Sequence, residues 1–425
     1  MSWSQIVPLA ILPHQVTKLI QVCPPADRHA SLTHALALRR TFTCPLANSV
    51  TKSVPMFRQD MRKAFIRARA LLEMPRGRAC EFKPMGVQGD TFLLKPSDQG
   101  TQYIVRVLLL DKAGVDTFIA VSTALSKAGV SPRVVASDDT MIITEHVIGT
   151  SCLESVLKGD TATIAAMGAL AARLHSCDPA ALGDVSTAGD SGLAFWWKKT
   201  KPYMRAMPEK LTAFFTKAVE QGLACDVSGP AGAVVLTHGD LNMGNILLPT
   251  PATATEGKVE EGEAPKVWLV EAEHVANSRI AGSDMAYLFA TWADMMALAG
   301  WMPSLNQVFP YPPLIQRQAF ARAYLAELGD GSTPSGTDVN DFLFQVEVCG
   351  ERQRVRLMMD SVVMAQGDPA HPIGARVVHF VDHVVRARKL LATAAAGDNG
   401  LRARIIVLGC TGVAALMSVD EECMG

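Results

Sequence analysis

The segment THGDLNMGNILL (237–248) sets His238, Asp240 and Asn245 at the spacing HxDxxxxN. That spacing suits phosphoryl transfer. The aspartate can accept a hydrogen bond, and finally the proton, from an attacking hydroxyl. The asparagine can reach back to a magnesium ion that bridges nucleotide phosphates. Both must face one place, and a short loop after a strand would put them there. Such chemistry also needs a metal carboxylate on a later strand, and KVWLVEAE (266–273) carries Glu271 and Glu273. Side chains two apart on a strand point the same way, so both carboxylates are expected on one side of its end.

The elements that must hold these residues follow from patterning. DMRKAFIRARALLEM, from Asp60, is rich in good helix formers. EFKPMGVQGDTFLLK and TQYIVRVLLL predict two strands joined by the turn PSDQG. VDTFIAVSTALSKAG has helical apolar spacing, with Gly129 as its stop. SPRVVASDDTMIITEHVIG predicts another strand pair with Asp138 and Asp139 at its turn. Beyond it the pattern is mainly helical: TATIAAMGALAARLHS, PEKLTAFFTKAVEQGLA and the long stretches after Trp292. Only AVVLTHG with NILLP, and KVWLVEAE, read as strands there. TPATATEGKVEEGEAPK between them predicts a flexible hairpin insert. The expectation is an α+β, two-lobed fold: a small N-terminal antiparallel-sheet lobe, a larger mainly helical C-terminal lobe, and a cleft at their join. The divisions expected are an extension over 1–60, a nucleotide-binding sheet lobe over 61–148, a helical lobe with catalytic loop and acceptor site over 149–400, and a tail over 401–425.

Bulk properties exclude some partners. With 49% apolar residues, 19% charged and a formal net charge of −1, no field draws the chain to nucleic acid or anionic lipid, and no basic stripe is present. Nine cysteines stand singly, without a CxxC pair, which speaks against structural zinc and a disulfide framework and fits a reducing compartment. A cytoplasmic location is therefore expected. Residues 1–59 hold one acidic residue, Asp27, against six basic ones; low acidity of this kind can mark organelle targeting, though a plain extension is the preferred reading. IIVLGCTGVAALM (405–417) is too short for a comfortable membrane span, and a packed terminal element is expected. A homodimer is kept as an alternative to a monomer.

HGDLNMGNILL followed by LVEAEHVANSRIAGSDMAYLFATW resembles the choline/ethanolamine kinase family, within the aminoglycoside-phosphotransferase-like group. Asn277, Arg279, Asp284, Phe289 and Trp292 fall at matching or near-matching places. YPPLIQRQAFARAYLAE (311–327) and ALAARLHS are softer matches, so the resemblance spans roughly residues 80–392. It implies a protein-kinase-like fold, ATP as donor, and magnesium. It also implies phosphorylation of a small amino alcohol, choline or ethanolamine, as the first step towards phosphatidylcholine or phosphatidylethanolamine. Asp240 would be the catalytic base and meet the substrate hydroxyl, with His238 in the same catalytic set. Asn245, Glu271 and Glu273 would be metal ligands. Gly86 and Gly89 of MGVQGDTF would lie in the phosphate-covering loop, where glycines let backbone N–H groups approach phosphate. Arg106 would pair with nucleotide phosphates, and the backbone near Glu145 and Val147 would hydrogen-bond adenine. Trp292 and Gln366 would contact the acceptor.

The departures from that pattern define alternatives. Glutamate at 271 replaces the family's aspartate; the longer arm suits magnesium's strict octahedron less well, so manganese is an alternative metal. Gly89 replaces the loop's usual asparagine, and Ala272 and His274 replace an aromatic pair. Met359 and Val362 stand where a tryptophan pair would form the quaternary-ammonium wall, and cation–π binding depends on such faces. Two further readings follow: a related phosphotransferase for another hydroxyl acceptor, such as an aminoglycoside or sugar derivative, and a pseudokinase that binds without transferring.

Overall fold

The computed structural model describes residues 54–85, 90–98, 100–178, 196–220, 235–250, 265–272, 275–278, 282–298, 312–329, 332–369 and 372–409. Residues 1–53 of the expected 1–60 extension, residues 251–264 of the expected insert and the terminal residues 410–425 lie outside them, while residues 54–60 of that extension belong to a helix. Contacts divide the chain into two compact units: residues up to Leu110 with Val135–His146, and Asp111–Val134 with Val147 onward.

The first unit is a five-stranded antiparallel sheet with one helix. Helix α1 (Val54–Leu71) precedes strands β1 (Cys80–Met85), β2 (Thr91–Pro96), β3 (Tyr103–Val107), β4 (Val134–Ser137) and β5 (Met141–Glu145), arranged β1-β2-β3-β5-β4. The sequence read EFKPMGVQGDTFLLK as one strand, but it forms two, with Pro84 of β1 opposite Phe92 of β2. GVQGD is the turn signal inside that run, a dense Gly/Asp cluster of the kind that ends strands. Phe92, Leu94, Val105, Met141 and Ile143 bury one face of the sheet together with Ala64 and Ala68 of α1. Those alanines are one helical turn apart, so they share a face and let the helix lie close. At the β4–β5 turn, Asp138 accepts hydrogen bonds from the Thr140 and Met141 N–H groups, and Arg67 of α1 pairs with Asp138 and Asp139 at 2.5 and 2.6 Å.

The second unit is mainly helical. Helix α2 (Lys112–Lys127), capped by Asp111, contributes Val121 and Leu125 to this unit's core. Then come β6 (Gly149–Ser151), α3 (Leu153–Leu157), α4 (Thr161–His175), α5 (Glu209–Glu220), β7 (Val235–Thr237), β8 (Ile246–Pro249), β9 (Trp268–Leu269), β10 (Ala276–Ser278), α6 (Gly282–Leu298), α7 (Leu314–Leu328), α8 (Gly336–Met364) and α9 (Pro372–Ala395). Asp160 caps α4 by accepting from Ala162 N–H, and Ser335 with Asp338 forms a capping box on α8, each satisfying N–H groups a helix start leaves open. Two small sheets, β10-β7 and β6-β8-β9, carry the site. β6 and β10 were not anticipated; at three residues each, neither shows an alternation long enough to read.

Helices α4 and α7 touch at Gly168, where an added Cβ would lie 2.3 Å from the Phe320 carbonyl oxygen. That approach is open only to glycine. It brings His175, two turns on along α4, to Tyr324, one turn on along α7, with Nδ1 and the hydroxyl 2.7 Å apart.

Candidate active site

β7 delivers the chain to His238, Gly239 and Asp240, and a 3-10 turn at Met243–Asn245 leads into β8. Gly239 takes φ 73, a left-handed conformation that glycine adopts without steric cost. The loop is built on its own side chains. Asn242 accepts from Gly244 N–H at 2.8 Å and donates to the Asp240 carbonyl at 3.2 Å. Asn245 donates its amide to the Asp240 carbonyl at 2.9 Å and to the carboxylate at 3.2 Å. Both of those partners are acceptors, so the NH2 group must face Asp240, which turns the Asn245 amide oxygen elsewhere. Asp240 and Asn245 are 4% and 3% exposed.

Asp284, in the first turn of α6, holds the loop from beneath. Its carboxylate accepts the backbone N–H of His238 at 2.6 Å and of Gly239 at 3.0 Å, and lies 3.3 Å from His175 Nε2. Burial pushes this carboxyl up, but the His175 hydrogen bond, the neighbouring imidazoles and the His238 N–H outweigh it and hold the group below the usual carboxylate range. Burial, helped by the Asp284 charge, pushes the Tyr324 phenol up, so Tyr324 stays a neutral hydroxyl against His175.

The run after β8 departs from the expected geometry. β9 ends at Leu269, so Glu271 is not on the strand and strand alternation does not orient it. Val270 is bound to the His238–Asn245 loop on both sides instead. Its N–H donates to the Asn245 carbonyl at 2.9 Å, and its carbonyl accepts from His238 Nε2 at 3.0 Å. His238 is fully buried, and its Nδ1 has no hydrogen-bond partner among the described residues. Glu271 follows at φ 62 and is exposed. A β-carbon in that region carries strain of about 1–2 kcal/mol, the kind of outlier found at working sites.

Of the other residues singled out from the sequence, Gly86, Gly89, Glu273 and Arg279 lie outside the described residues. Arg106 sits on β3 opposite Thr91, its guanidinium 3.9 Å from the Asp90 carboxylate. Glu145 ends β5 opposite Tyr103, and Val147 follows the strand. Trp292 is 4% exposed and packs edge-on against Phe289, so its rings serve the core. Gln366 is exposed just past α8, at φ 52. Met359 and Val362 are fully buried in a second apolar cluster with Trp196, Leu211 and Phe215. Sequence reasoning passed over two groups. Asp284 was noted only as a pattern match, although a lone acid at the head of an apolar helix was a usable signal. Arg356 of α8, whose guanidinium donates to the Gly239 carbonyl at 2.8 Å, left no signal in RVRLMM.

No group of three or more metal-binding side chains occurs among the described residues. Even so, the Asn245 amide oxygen and the Glu271 carboxylate are hard oxygen donors, and magnesium is typically held by one or two carboxylates with phosphates and water. The residues present fit that ion.

Residues 81–258 match the model of the phosphotransferase enzyme family, APH. No curated protein matches the chain. A choline kinase structure from Cryptosporidium parvum Iowa II aligns at TM-score 0.54 and 17% identity, covering 76% of this chain and 93% of that one. An ethanolamine kinase from Plasmodium vivax aligns at TM-score 0.48 and 13% identity, over 74% and 83% of the two chains. A choline/ethanolamine kinase family protein from Mesorhizobium loti aligns at 0.48 and 16%, over 79% and 100%. At 17% identity the likeness to the Cryptosporidium structure speaks to the fold alone, which is protein-kinase-like. No described helix is long and apolar enough to cross a membrane. Over residues 81–258, then, this chain is similar to the phosphotransferase enzyme family, APH.

Proposed function

We propose that this chain transfers the γ-phosphoryl group of ATP to the hydroxyl of a small molecule. The observation that carries the reading is the pair of hydrogen bonds between the Val270 backbone and the His238–Asn245 loop, because it holds the chain just before Glu271 against the loop that carries Asp240 and Asn245. Asp240 accepts the proton of the attacking hydroxyl, and Asn245 keeps that carboxylate oriented. The Asn245 amide oxygen and Glu271 would hold magnesium, with Glu273 as a further ligand. When bound, the ion neutralises charge developing on the phosphates. Asp284 fixes the loop before substrate arrives, so little reorganisation is spent during reaction. Gly86, Gly89, Arg106, Glu145 and Val147 keep the nucleotide roles the sequence suggests for them.

The resemblance to choline/ethanolamine kinases makes an amino alcohol the first acceptor to try. A second reading, another small hydroxyl compound, is favoured by the burial of Met359, Val362 and Trp292, which leaves those positions without an open aromatic wall. The test is ADP release with magnesium and with manganese over choline, ethanolamine and a panel of other alcohols. Wild type is run beside Asp240→Asn and Glu271→Asp. Turnover is expected to fall by about 100-fold or more in Asp240→Asn and to persist in Glu271→Asp. Turnover untouched by Asp240→Asn rules the reading out, and no release with either metal leaves the pseudokinase.

A further inference from the structure

Arg356 is half-buried and lies on the catalytic loop. Its guanidinium donates to the carbonyl of the peptide that joins Gly239 to Asp240, at 2.8 Å. It also lies over two aromatic rings, 4.9 Å from the Tyr287 centroid and 5.4 Å from the Trp196 centroid. Both rings are buried, at 1% and 8% exposure. Lys199 brings a second cation to Trp196, at 5.0 Å. No carboxylate among the described residues lies within ion-pair distance of Arg356.

Two consequences follow from charge and geometry. An aromatic pair next to a catalytic base is a natural seat for a quaternary ammonium, but here the protein's own cation fills it. Any acceptor whose hydroxyl meets Asp240 must also place its remaining atoms within a few bonds of that base, near the guanidinium. A positively charged tail is repelled there, and an oxyanion is attracted. Arginine presents five N–H donors in a planar fork that matches carboxylate and phosphate; the bond to Gly239 uses one of them.

We infer that Arg356 selects the acceptor, and that the acceptor is an anion: a small hydroxyl compound bearing a carboxylate or a phosphate. This rests on the phosphotransfer reading and takes the second of its two acceptor classes. In the step, the acceptor oxygen bonds to the γ-phosphorus of ATP and its proton passes to Asp240. The bond from that phosphorus to the β–γ bridging oxygen breaks, and ADP leaves with the electron pair.

A two-carbon series isolates charge at constant size: ethanolamine, ethylene glycol, glycolate and 2-hydroxyethyl phosphate. Wild-type kcat/KM should be about tenfold or more higher for one of the two anions than for ethanolamine, and whichever anion leads separates carboxylate from phosphate. Arg356→Met should bring that ratio close to one, while Arg356→Lys, which keeps the charge, should keep most of it. Ethanolamine preferred over both anions, or a ratio unchanged in Arg356→Met, overturns the inference. Calorimetric binding of the same two anions in the absence of ATP separates it from the parent reading. Binding at least about tenfold weaker in Arg356→Met than in wild type supports the anion site even if no phosphate is transferred. Equal binding by both proteins overturns it, whatever the turnover.

Discussion

The carboxylate of Asp284 accepts the backbone N–H of His238 at 2.6 Å, and so the first turn of α6 sets the path of the chain two residues before Asp240. The same carboxylate takes Gly239 N–H and faces His175. Replacing Asp284 by alanine leaves buried N–H groups without an acceptor. The expected loss is about 2–5 kcal/mol of stability, read as a lower denaturant midpoint. In the folded remainder kcat should fall more than KM rises, since the base is displaced while acceptor contacts persist. A variant as stable and active as wild type would contradict the anchoring role.

The lowered pKa of Asp284 gives its contribution to stability a definite sign. Its folded value lies below its unfolded one, so in acid the unfolded chain binds the extra proton first. The carboxylate therefore contributes stability fully above the ordinary range near pH 4, and that contribution is lost as pH falls through the folded value. Denaturant midpoints measured from about pH 6 down to pH 3 should drop more steeply in wild type than in Asp284→Asn. Parallel curves would show that other carboxylates carry the acid sensitivity.

Gly168 tests whether helix spacing reaches the loop. A Cβ there would meet the Phe320 carbonyl at 2.3 Å, and two backbones must part to admit it. Gly168→Ala should cost about 1–3 kcal/mol and loosen the contact between His175 and Tyr324. The His175 ring signals in an NMR spectrum should shift or broaden; unchanged signals alongside full stability would mean that the helices part without strain.

Glu271 separates stability from activity. Its φ of 62 is comfortable for glycine and strained for glutamate. Glu271→Gly should leave stability within about 1 kcal/mol of wild type, or raise it, while phosphotransfer falls by about 100-fold or more as a metal donor is lost. Activity retained alongside lost stability would make Glu271 a packing residue instead.

The loop from His238 to Asn245 was legible because its chemistry needs residues close in sequence, at a spacing that survives any embellishment around it. The sheet was legible for a similar reason, since its strands are short apolar runs bounded by turn residues; the boundary misread at GVQGD lay inside such a run. Glu271 was placed on a strand because WLV reads as one, yet the Val270 N–H donates to the Asn245 carbonyl, the Val270 carbonyl accepts from His238, and the strand ends at Leu269. Arg356 could not be found this way. It meets Gly239 across 117 residues, and only the phase of a long helix decides which face it takes. Trp292 was given a role from pattern, while it packs edge-on against Phe289, which in turn meets Phe320 of α7, and no local spacing reveals that layer.

The grip on Val270 uses only its N–H and its carbonyl. Every amino acid except proline offers both groups, so the seating of this segment on the His238–Asn245 loop is stored in the main chain and does not depend on the side chain at 270. For inheritance this means tolerance: mutation can sample size and polarity at that position, directly beside the chemistry, without erasing the geometry that supports it. A saturation library at 270 would then be expected to exclude proline first. On the proposed phosphotransfer reading, position 270 becomes a place where new acceptors can be tried at small risk to the catalyst.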